Sequence, residues 1–179
     1  MNKNLAVLTA VGHDRIGIVD DLTSLIEEKA ANILESRMAV LGGEFAVIML
    51  VSGEKRSISG LIGNLDHLEK ETGLHIEIKP TNRSDKDTNG IPYILKCISL
   101  DGPGIIHSVT RFIRSEGINI ENLETETAHA PWTGAPLFKM KANVIVPLSV
   151  SVQELRKGLS RLEHEKDLDI SFKAVTGKV

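Results

Sequence analysis

The stretch Asp14-Arg15-Ile16-Gly17-Ile18-Val19 has a counterpart 87 residues further along the chain, Asp101-Gly102-Pro103-Gly104-Ile105-Ile106. At the same offset, apolar and turn residues match in order: Leu25 with Phe112, Ile26 with Ile113, Ala30 with Gly117, Asn32 with Asn119, and Ile33 with Ile120. An ordered set of matches over two dozen residues indicates an internal repeat. The chain of 179 residues is therefore predicted to consist of two copies of one unit.

Each unit has the same predicted order of elements, β-α-β-β-α-β. In the first unit, apolar periodicity predicts strand Leu5–Val11, a helix from Ile18 to Ala30, strands Ile33–Leu41 and Phe45–Val51, one helical stripe from Ile58 to Leu68, and strand Leu74–Lys79. In the second unit it predicts strand Tyr93–Leu100, helix Ile105–Ser115, strands Ile118–Ala128 and Leu137–Val146, helix Val152–Glu165, and strand Asp169–Val175.

This order of elements predicts an α+β fold made of two ferredoxin-like βαββαβ units, with antiparallel sheets and helices on one face. We expect a first domain at residues 1–80, a polar linker at 81–91 and a second domain at 92–179. A sheet this small leaves strand edges unpaired. We therefore expect the units to pair edge to edge, either within the chain or between two copies.

The composition excludes several classes of protein. The net charge is −3 and aromatic residues are only 3%, so neither a basic stripe nor a stacking platform for nucleic acid is present. No apolar run approaches the roughly 18–20 residues of a membrane span, and the single cysteine, Cys97, cannot form an internal disulfide. We expect a cytoplasmic protein without direct nucleic-acid or membrane contact, and without a metal or cofactor because the six histidines form no ligand pattern.

The most informative local signal is the turn between the first strand and first helix of each unit. Its glycines let the backbone approach a ligand, and the N–H groups of a helix N-terminus suit a carboxylate. Asp14 or Asp101 could hold an ammonium group, so an amino acid fits this corner. The alternative is that both aspartates only cap their helices.

Asn32 and Asn119 lie at equivalent places before the second strand, where their amides could bond a ligand or merely favour a loop conformation.

Other residues carry weaker signals. Cys97 is expected to be an inert, half-buried thiol, and the acidic residues near the end of the last helix, Glu163, Glu165 and Asp167, a solvated face. Trp132 lies in the loop from His129 to Pro136, where it covers a neighbouring unit, a ligand or a partner, or folds back on its own hairpin. No nucleophile and base stand together in a motif, which argues against catalysis.

These features resemble the ACT-domain family. The resemblance rests on the repeated turn, on the helix that follows, and on Ala31-Asn32-Ile33 with Ile118-Asn119-Ile120. A free-standing tandem pair is similar to the glycine cleavage system transcriptional repressor family. The resemblance implies amino-acid binding between paired domains through the first turn and first helix. The residues carried over are Gly12, His13, Asp14, Arg15, Ile16, Gly17, Asn32, Asp101, Gly102, Pro103, Gly104 and Asn119.

One departure separates the two turns: Pro103 stands where the first turn has Ile16, and proline lacks a backbone N–H. The two sites are therefore expected to differ in affinity, or only one to bind. The resemblance implies a non-enzymatic sensor of an amino acid such as glycine or serine, which acts as a homodimer on a transcription factor or an enzyme. The alternatives are a detached regulatory subunit of an amino-acid or one-carbon metabolic enzyme, and an assembly module without a ligand.

Overall fold

The structure, a computed structural model, describes residues 4–82, 89–130 and 133–175. The chain divides into two compact units, Met1–Asp85 and Lys86–Val179. The last strand of the first unit ends at Thr81, and the first strand of the second begins at Gly90. Most of the predicted linker 81–91 lies outside the described residues, as does Trp132. None of the helices in the described ranges combines the length and hydrophobicity that crossing a membrane requires.

The first unit is a four-stranded antiparallel sheet with helices on one face. Its elements are β1 (Asn4–His13), α1 (Ile18–Glu28), β2 (Asn32–Leu41), β3 (Glu44–Gly53), α2 (Lys55–Ile62), α3 (Leu65–Thr72) and β4 (His75–Thr81). The strand order is β2-β3-β1-β4. The hairpin between β2 and β3 turns at Gly42 and Gly43, both at positive φ (61° and 89°), as the Gly-Gly signal predicts.

The second unit repeats this arrangement. Its elements are β5 (Gly90–Leu100), α4 (Ile105–Ser115), β6 (Asn119–His129), β7 (Pro136–Pro147), α5 (Val152–Lys166) and β8 (Asp169–Ala174). The strand order β6-β7-β5-β8 is that of the first sheet, and all its pairings are antiparallel. The predicted α+β fold with two ferredoxin-like units is confirmed.

One predicted element is wrong: the helical stripe from Ile58 to Leu68 is two helices, not one. α2 ends before Gly63 and α3 begins after Asn64. The N–H of Gly63 still bonds the carbonyl of Ser59, at 2.9 Å, whereas that of Asn64 bonds Leu61, which tightens the last turn. The apolar spacing hides this break because Ile58, Leu61 and Leu68 all reach the same core.

Each unit has its own core of aliphatic residues between sheet and helices. In the first unit, the inward residues of β1 and β3 pack against Leu22 and Ile26 of α1. The second unit adds an aromatic pair, since the rings of Tyr93 and Phe172 stack with centroids 4.4 Å apart. Burial of each aliphatic side chain contributes roughly 1.5–3 kcal/mol to the stability of the fold. The cores therefore hold each first strand and the helix after it in place, and this fixes the turn that joins them after β1 and β5.

The edge strands β2 and β6 carry an irregularity at the same place. The pairing of β2 with β3 shifts register between Ile33 and Glu35, and the pairing of β6 with β7 shifts between Ile120 and Asn122. An extra residue in one strand bends it and interrupts the ladder of hydrogen bonds. The two units therefore share a detail of backbone geometry that the repeat of apolar residues does not reveal.

Candidate functional site

The turns after β1 and β5 adopt the same backbone conformation. Gly17 and Gly104 immediately precede α1 and α4, and their φ angles are 86° and 88°, in the left-handed region. Residues with a Cβ enter this region at a cost of roughly 1–2 kcal/mol. Neither helix start receives a side-chain cap. The alternative role for Asp14 and Asp101 as helix caps is therefore wrong, because each helix begins four residues after its aspartate and the glycine before it is the N-cap.

Each turn is held to the hairpin beside it. The N–H of Asp14 donates to the carbonyl of Gly43, and the N–H of Asp101 donates to that of Pro136, both at 3.0 Å. The side chain of Asp101 also accepts a hydrogen bond of 3.5 Å from the hydroxyl of Thr127. These backbone bonds fix where both helices begin, so the uncapped first-turn N–H groups have a defined position.

The two helix starts differ in charge. The first turn of α1 carries Asp20 and Asp21, whereas that of α4 carries no acidic residue. Acidic side chains stabilise the positive end of a helix dipole, and they occupy the place that an anionic ligand group would take. The start of α4 therefore keeps more of its attraction for a carboxylate than the start of α1.

Arg15 bridges the first turn to the end of α3. Its Nη2 donates a hydrogen bond of 3.2 Å to the carbonyl of Thr72 and lies 2.6 Å from a carboxylate oxygen of Asp21. About 42% of the side chain is exposed, so the ion pair with Asp21 is worth under about 1 kcal/mol. The main effect of Arg15 is to fill space, because its guanidinium group lies between the turn and the C-terminal end of α3.

The corresponding place in the second unit is an open cavity of about 380 Å³ between the β5–α4 turn and the end of α5. Gly102 is the counterpart of Arg15, and Ser108 that of Asp21, at the offset of 87 residues. The lining residues are Ser99, Leu100, Gly102, Pro103, Gly104, Ile105, His107, Ser108, Lys166 and Asp167. Three predicted site residues, Gly102, Pro103 and Gly104, thus lie together in its wall.

A different space adjoins the first turn. A groove of about 560 Å³ runs between the start of α1 and the edge strand β2. It is lined by Asp14, Arg15, Gly17, Ile18, Val19, Asp20, Met38, Ala39, Val40 and Phe45. The groove brings together three predicted residues, Asp14, Arg15 and Gly17, and adds an apolar wall from β2 and β3. Sequence reasoning missed this wall because Met38 and Val40 are distant in sequence and appear only as strand residues.

Several predicted site residues lie elsewhere. His13 faces Glu44 across the sheet, with its Nδ1 3.7 Å from a carboxylate oxygen, and Ile16 is fully exposed at the tip of the turn. Asn32 is the first residue of β2, six residues before Met38, so it stands about 20 Å from the groove at 3.3 Å per residue. Asn119 begins β6 in the same way. Neither asparagine reaches the turn of its own unit.

The remaining chemical groups are structural. Cys97 is fully buried, more than expected, and burial together with the charges of Asp169 and Glu163 raises the pKa of its thiol to about 11. Glu163 is not merely a solvated residue, because its Oε1 accepts a hydrogen bond of 2.8 Å from the N–H of Ile170. Within the described ranges, no group of three His, Cys, Asp or Glu side chains could hold a metal ion.

Comparisons with known proteins agree with this architecture. A family model for the ACT domain matches residues 4–79. The glycine cleavage system transcriptional repressor of Escherichia coli (strain K12) is 27% identical over 174 residues, which cover 97% of this chain and 92% of the repressor. The crystal structure of an unknown protein from Galdieria sulphuraria has a TM-score of 0.80 at 34% identity, covering 98% of this chain and 100% of that chain.

A further crystal structure, provisionally assigned as a glycine cleavage system transcriptional repressor, has a TM-score of 0.74 at 25% identity and covers 99% of this chain and 100% of its own. The first unit therefore matches the ACT-domain family over nearly its whole length, as its turn motif indicates, and the second unit repeats its strand order in tandem. Over nearly its full length the chain is similar to the glycine cleavage system transcriptional repressors. This similarity supports a regulatory role.

Proposed function

We propose that this protein is a non-enzymatic regulator that binds an amino acid at its strand–helix turns and transmits the signal by contact with another protein. One observation carries the proposal: both turns present an uncapped helix start beside an open groove or cavity that contains polar and charged groups. A helix start attracts a carboxylate, and the carboxylates of Asp14 and Asp101 attract an ammonium group. Amino acids supply both charges on adjacent atoms.

The proposed ligand is a small amino acid such as glycine or serine. The name of the bacterial repressor, which refers to glycine cleavage, supports this choice. Residues of one or both turns, Gly12 to Gly17 and Asp101 to Gly104, are proposed to form the binding site. Asn32 and Asn119 are retained as proposed ligand contacts, although each lies at the far end of an edge strand from the turn of its own unit.

The proposed output is contact with a transcription factor or an enzyme, made by a homodimer of this chain. A net charge of −3 gives the chain little attraction for DNA, so a protein intermediary is the simpler route to regulation. A ligand changes such a contact only if it binds one arrangement of the protein better than another. Edge strands β2 and β6 offer backbone groups for pairing between copies.

The first test is a thermal-shift screen of the purified chain against the twenty amino acids at millimolar concentration. A ligand at 100 times its Kd stabilises the fold by roughly 2.7 kcal/mol, which raises the unfolding midpoint by several degrees. We expect a shift with one or a few related amino acids. The absence of any shift contradicts the sensing role and leaves the assembly module as the simpler reading.

A matched variant pair separates binding from stability. The double variant Asp14→Ala/Asp101→Ala is expected to keep its unfolding midpoint within a few degrees and to lose most of the ligand-induced shift. Glu77→Ala removes an exposed carboxylate from β4, outside the β1–α1 turn, and is expected to leave the shift unchanged. The output is then tested by affinity capture from native lysate with and without the amino acid, where we expect retention of a regulator or enzyme to change.

A further inference from the structure

The two turns are not equivalent, because the first is filled by its own arginine. Resting on the proposed function, we infer that the cavity beside the β5–α4 turn is the place where the amino acid binds, and that Arg15 occupies the equivalent place in the first unit. The cavity then takes one amino acid per chain, and its counterpart in the first unit takes none. This assigns the ligand to a pocket inside the second unit.

The contacts of Arg15 show which place in the first unit corresponds to the cavity in the second. Its guanidinium group meets the carbonyl of Thr72 at 3.2 Å and the carboxylate of Asp21 at 2.6 Å. Thr72 is the last residue of α3, and the residue after it, Gly73, is in the left-handed conformation; Lys166 is likewise the last residue of α5 and precedes left-handed Asp167. The counterparts of both contacts, Lys166 and Ser108, line the cavity.

A second pair of residues explains why the space is wider in the second unit. A Cβ placed on Gly12 would lie 2.9 Å from a methyl group of Leu74 and 3.0 Å from the carbonyl of Gly73, so β1 packs directly on the end of α3. Ser99 takes the place of Gly12 at the offset of 87 residues, and its side chain lines the cavity. The serine side chain needs room that the glycine does not, which accords with the open space beside it in the second unit.

The cavity has one region that suits an anion and another that suits a cation. On one side is the start of α4, with no acidic residue in its first turn. On the other side is the C-terminal end of α5, where the last helical residue, Lys166, is followed by the carboxylate of Asp167. Helix starts attract anions and helix ends attract cations. In the first unit the equivalent helix end accepts the guanidinium of Arg15, and an ammonium group can donate to α5 in the same way.

Polar groups in the wall add to this selectivity. The hydroxyl oxygen of Ser99 is shielded from solvent and makes no hydrogen bond to any residue within the described ranges. A shielded, unpaired hydroxyl in the wall is unfavourable, and a ligand group that displaces the atoms covering it would supply the missing partner. The hydroxyl of Ser108 already donates to the carbonyl of Gly104, at 2.9 Å, and is not available as a donor. A volume of about 380 Å³ is at the small end of the roughly 300–1,000 Å³ of ligand pockets, which fits a small amino acid.

The test exchanges the distinguishing residues between the units. Gly102→Arg places an arginine where the first unit has one, and the position accepts a side chain because no atom lies within 4 Å of its Cβ direction. Arg15→Gly/Asp21→Ser gives the first place the residues that stand at the same positions in the second unit. Gln153→Arg adds the same charge at an exposed position near the start of α5, outside the cavity lining, and serves as the control. Circular dichroism confirms that each variant is folded.

Isothermal titration calorimetry is carried out on the full chain with glycine and L-serine, and then with the other eighteen amino acids. For an amino acid that binds, we expect one molecule per chain for the wild type and for Gln153→Arg, and at least tenfold weaker binding for Gly102→Arg. We expect a second molecule per chain for Arg15→Gly/Asp21→Ser. NMR amide shifts of residues 104–108 and 166–168 are expected to follow the titration.

The outcomes separate the two proposals. If an amino acid binds the wild type and Gly102→Arg binds it equally well, the cavity is not the site, while the sensing function stands. Two molecules per chain in the wild type also overturn the blocking role of Arg15. If none of the twenty amino acids binds the wild type, both the sensing function and the cavity assignment are overturned.

Discussion

The carboxylate of Glu69 accepts a hydrogen bond of 2.8 Å from the backbone N–H of Ile76, which joins the end of α3 to the start of β4. The same oxygen lies 2.8 Å from Nδ1 of His75. The second unit repeats the link, since Glu163 accepts from the N–H of Ile170 at 2.8 Å. Each helix therefore carries an acidic residue that fixes the direction of the following edge strand.

Replacing Glu69 by alanine is expected to loosen β4 locally. The N–H of Ile76 loses its acceptor, so its amide hydrogen should exchange with solvent faster than in the wild type. NMR-detected hydrogen exchange measures this directly. The matched variant Glu163→Ala should accelerate exchange at Ile170 and leave Ile76 unchanged. Equal rates at Ile76 in Glu69→Ala and the wild type contradict a stabilising role for this bond.

Acidification is expected to weaken the same link. The hydrogen bond from Ile76 and the proximity of His75 hold the pKa of Glu69 below its ordinary value of 4.5. A lowered pKa in the folded state means that the stabilisation is present above pH 4.5 and is lost as the pH falls through the lower, folded-state value. The wild type should therefore lose stability in this range more steeply than Glu69→Gln in urea unfolding followed by circular dichroism.

The thiol of Cys97 is expected to be unreactive in the folded chain. Burial raises its pKa to about 11, and the thiolate is the reactive form. At pH 8 a thiol reagent such as iodoacetamide should modify the native protein far more slowly than the urea-unfolded protein. The stabilisation linked to this group is present below its ordinary pKa of 9.0 and is lost as the pH rises toward 11. Rapid labelling of the native chain at pH 8 argues that β5 opens to solvent.

The left-handed turns are expected to require glycine for conformational reasons alone. A Cβ on Gly104 would meet no atom within 4 Å, yet φ is 88°, so Gly104→Ala should lower the free energy of unfolding by about 1–2 kcal/mol. Gly102→Ala is the control, because that position is also open and its φ is not in the left-handed region. Urea unfolding measures both variants. Equal stability of the two contradicts a backbone origin for the effect.

Two glycines in helices are expected to respond to alanine in opposite directions. A Cβ on Gly158 of α5 would lie 2.6 Å from the ring of Phe112, so Gly158→Ala should destabilise by roughly 1–3 kcal/mol through overpacking. Gly60 of α2 has room, with the nearest atom at 3.9 Å, and Gly60→Ala should stabilise by about 0.5–1 kcal/mol. Thermal unfolding compares them. Adding Phe112→Leu should restore part of the loss in Gly158→Ala.

Much of the fold could be predicted because it depends on local patterns. The order of strands and helices follows from apolar periodicity, and the left-handed turns follow from glycines at repeated places. The break between α2 and α3 was not predicted, because Ile58, Leu61 and Leu68 keep helical spacing across it and all reach the core. A short interruption that preserves which residues are buried leaves no trace in the pattern of hydrophobicity.

The candidate site could be predicted only in part. The turn residues Asp14, Gly17 and Gly104 are next to open space, as their chemistry indicates. The contact of Arg15 with Thr72 joins residues 57 positions apart, and no spacing in the sequence reveals it. Asn32 and Asn119 were grouped with the turns by repetition, but strand geometry carries them to the opposite end of the sheet.

The difference between Arg15–Asp21 and Gly102–Ser108 also limits how two repeats can diverge. Two substitutions separate the states, so a stepwise path passes through a chain that has only one of the two charges. An aspartate alone in the first turn of α1 is stabilised by the positive end of that helix. An arginine alone in the preceding turn is stabilised by the negative end of α3, where Thr72 accepts its hydrogen bond. Each single-charge intermediate keeps one favourable contact with a helix end, so the limit is set by two helix ends that tolerate either order of substitution.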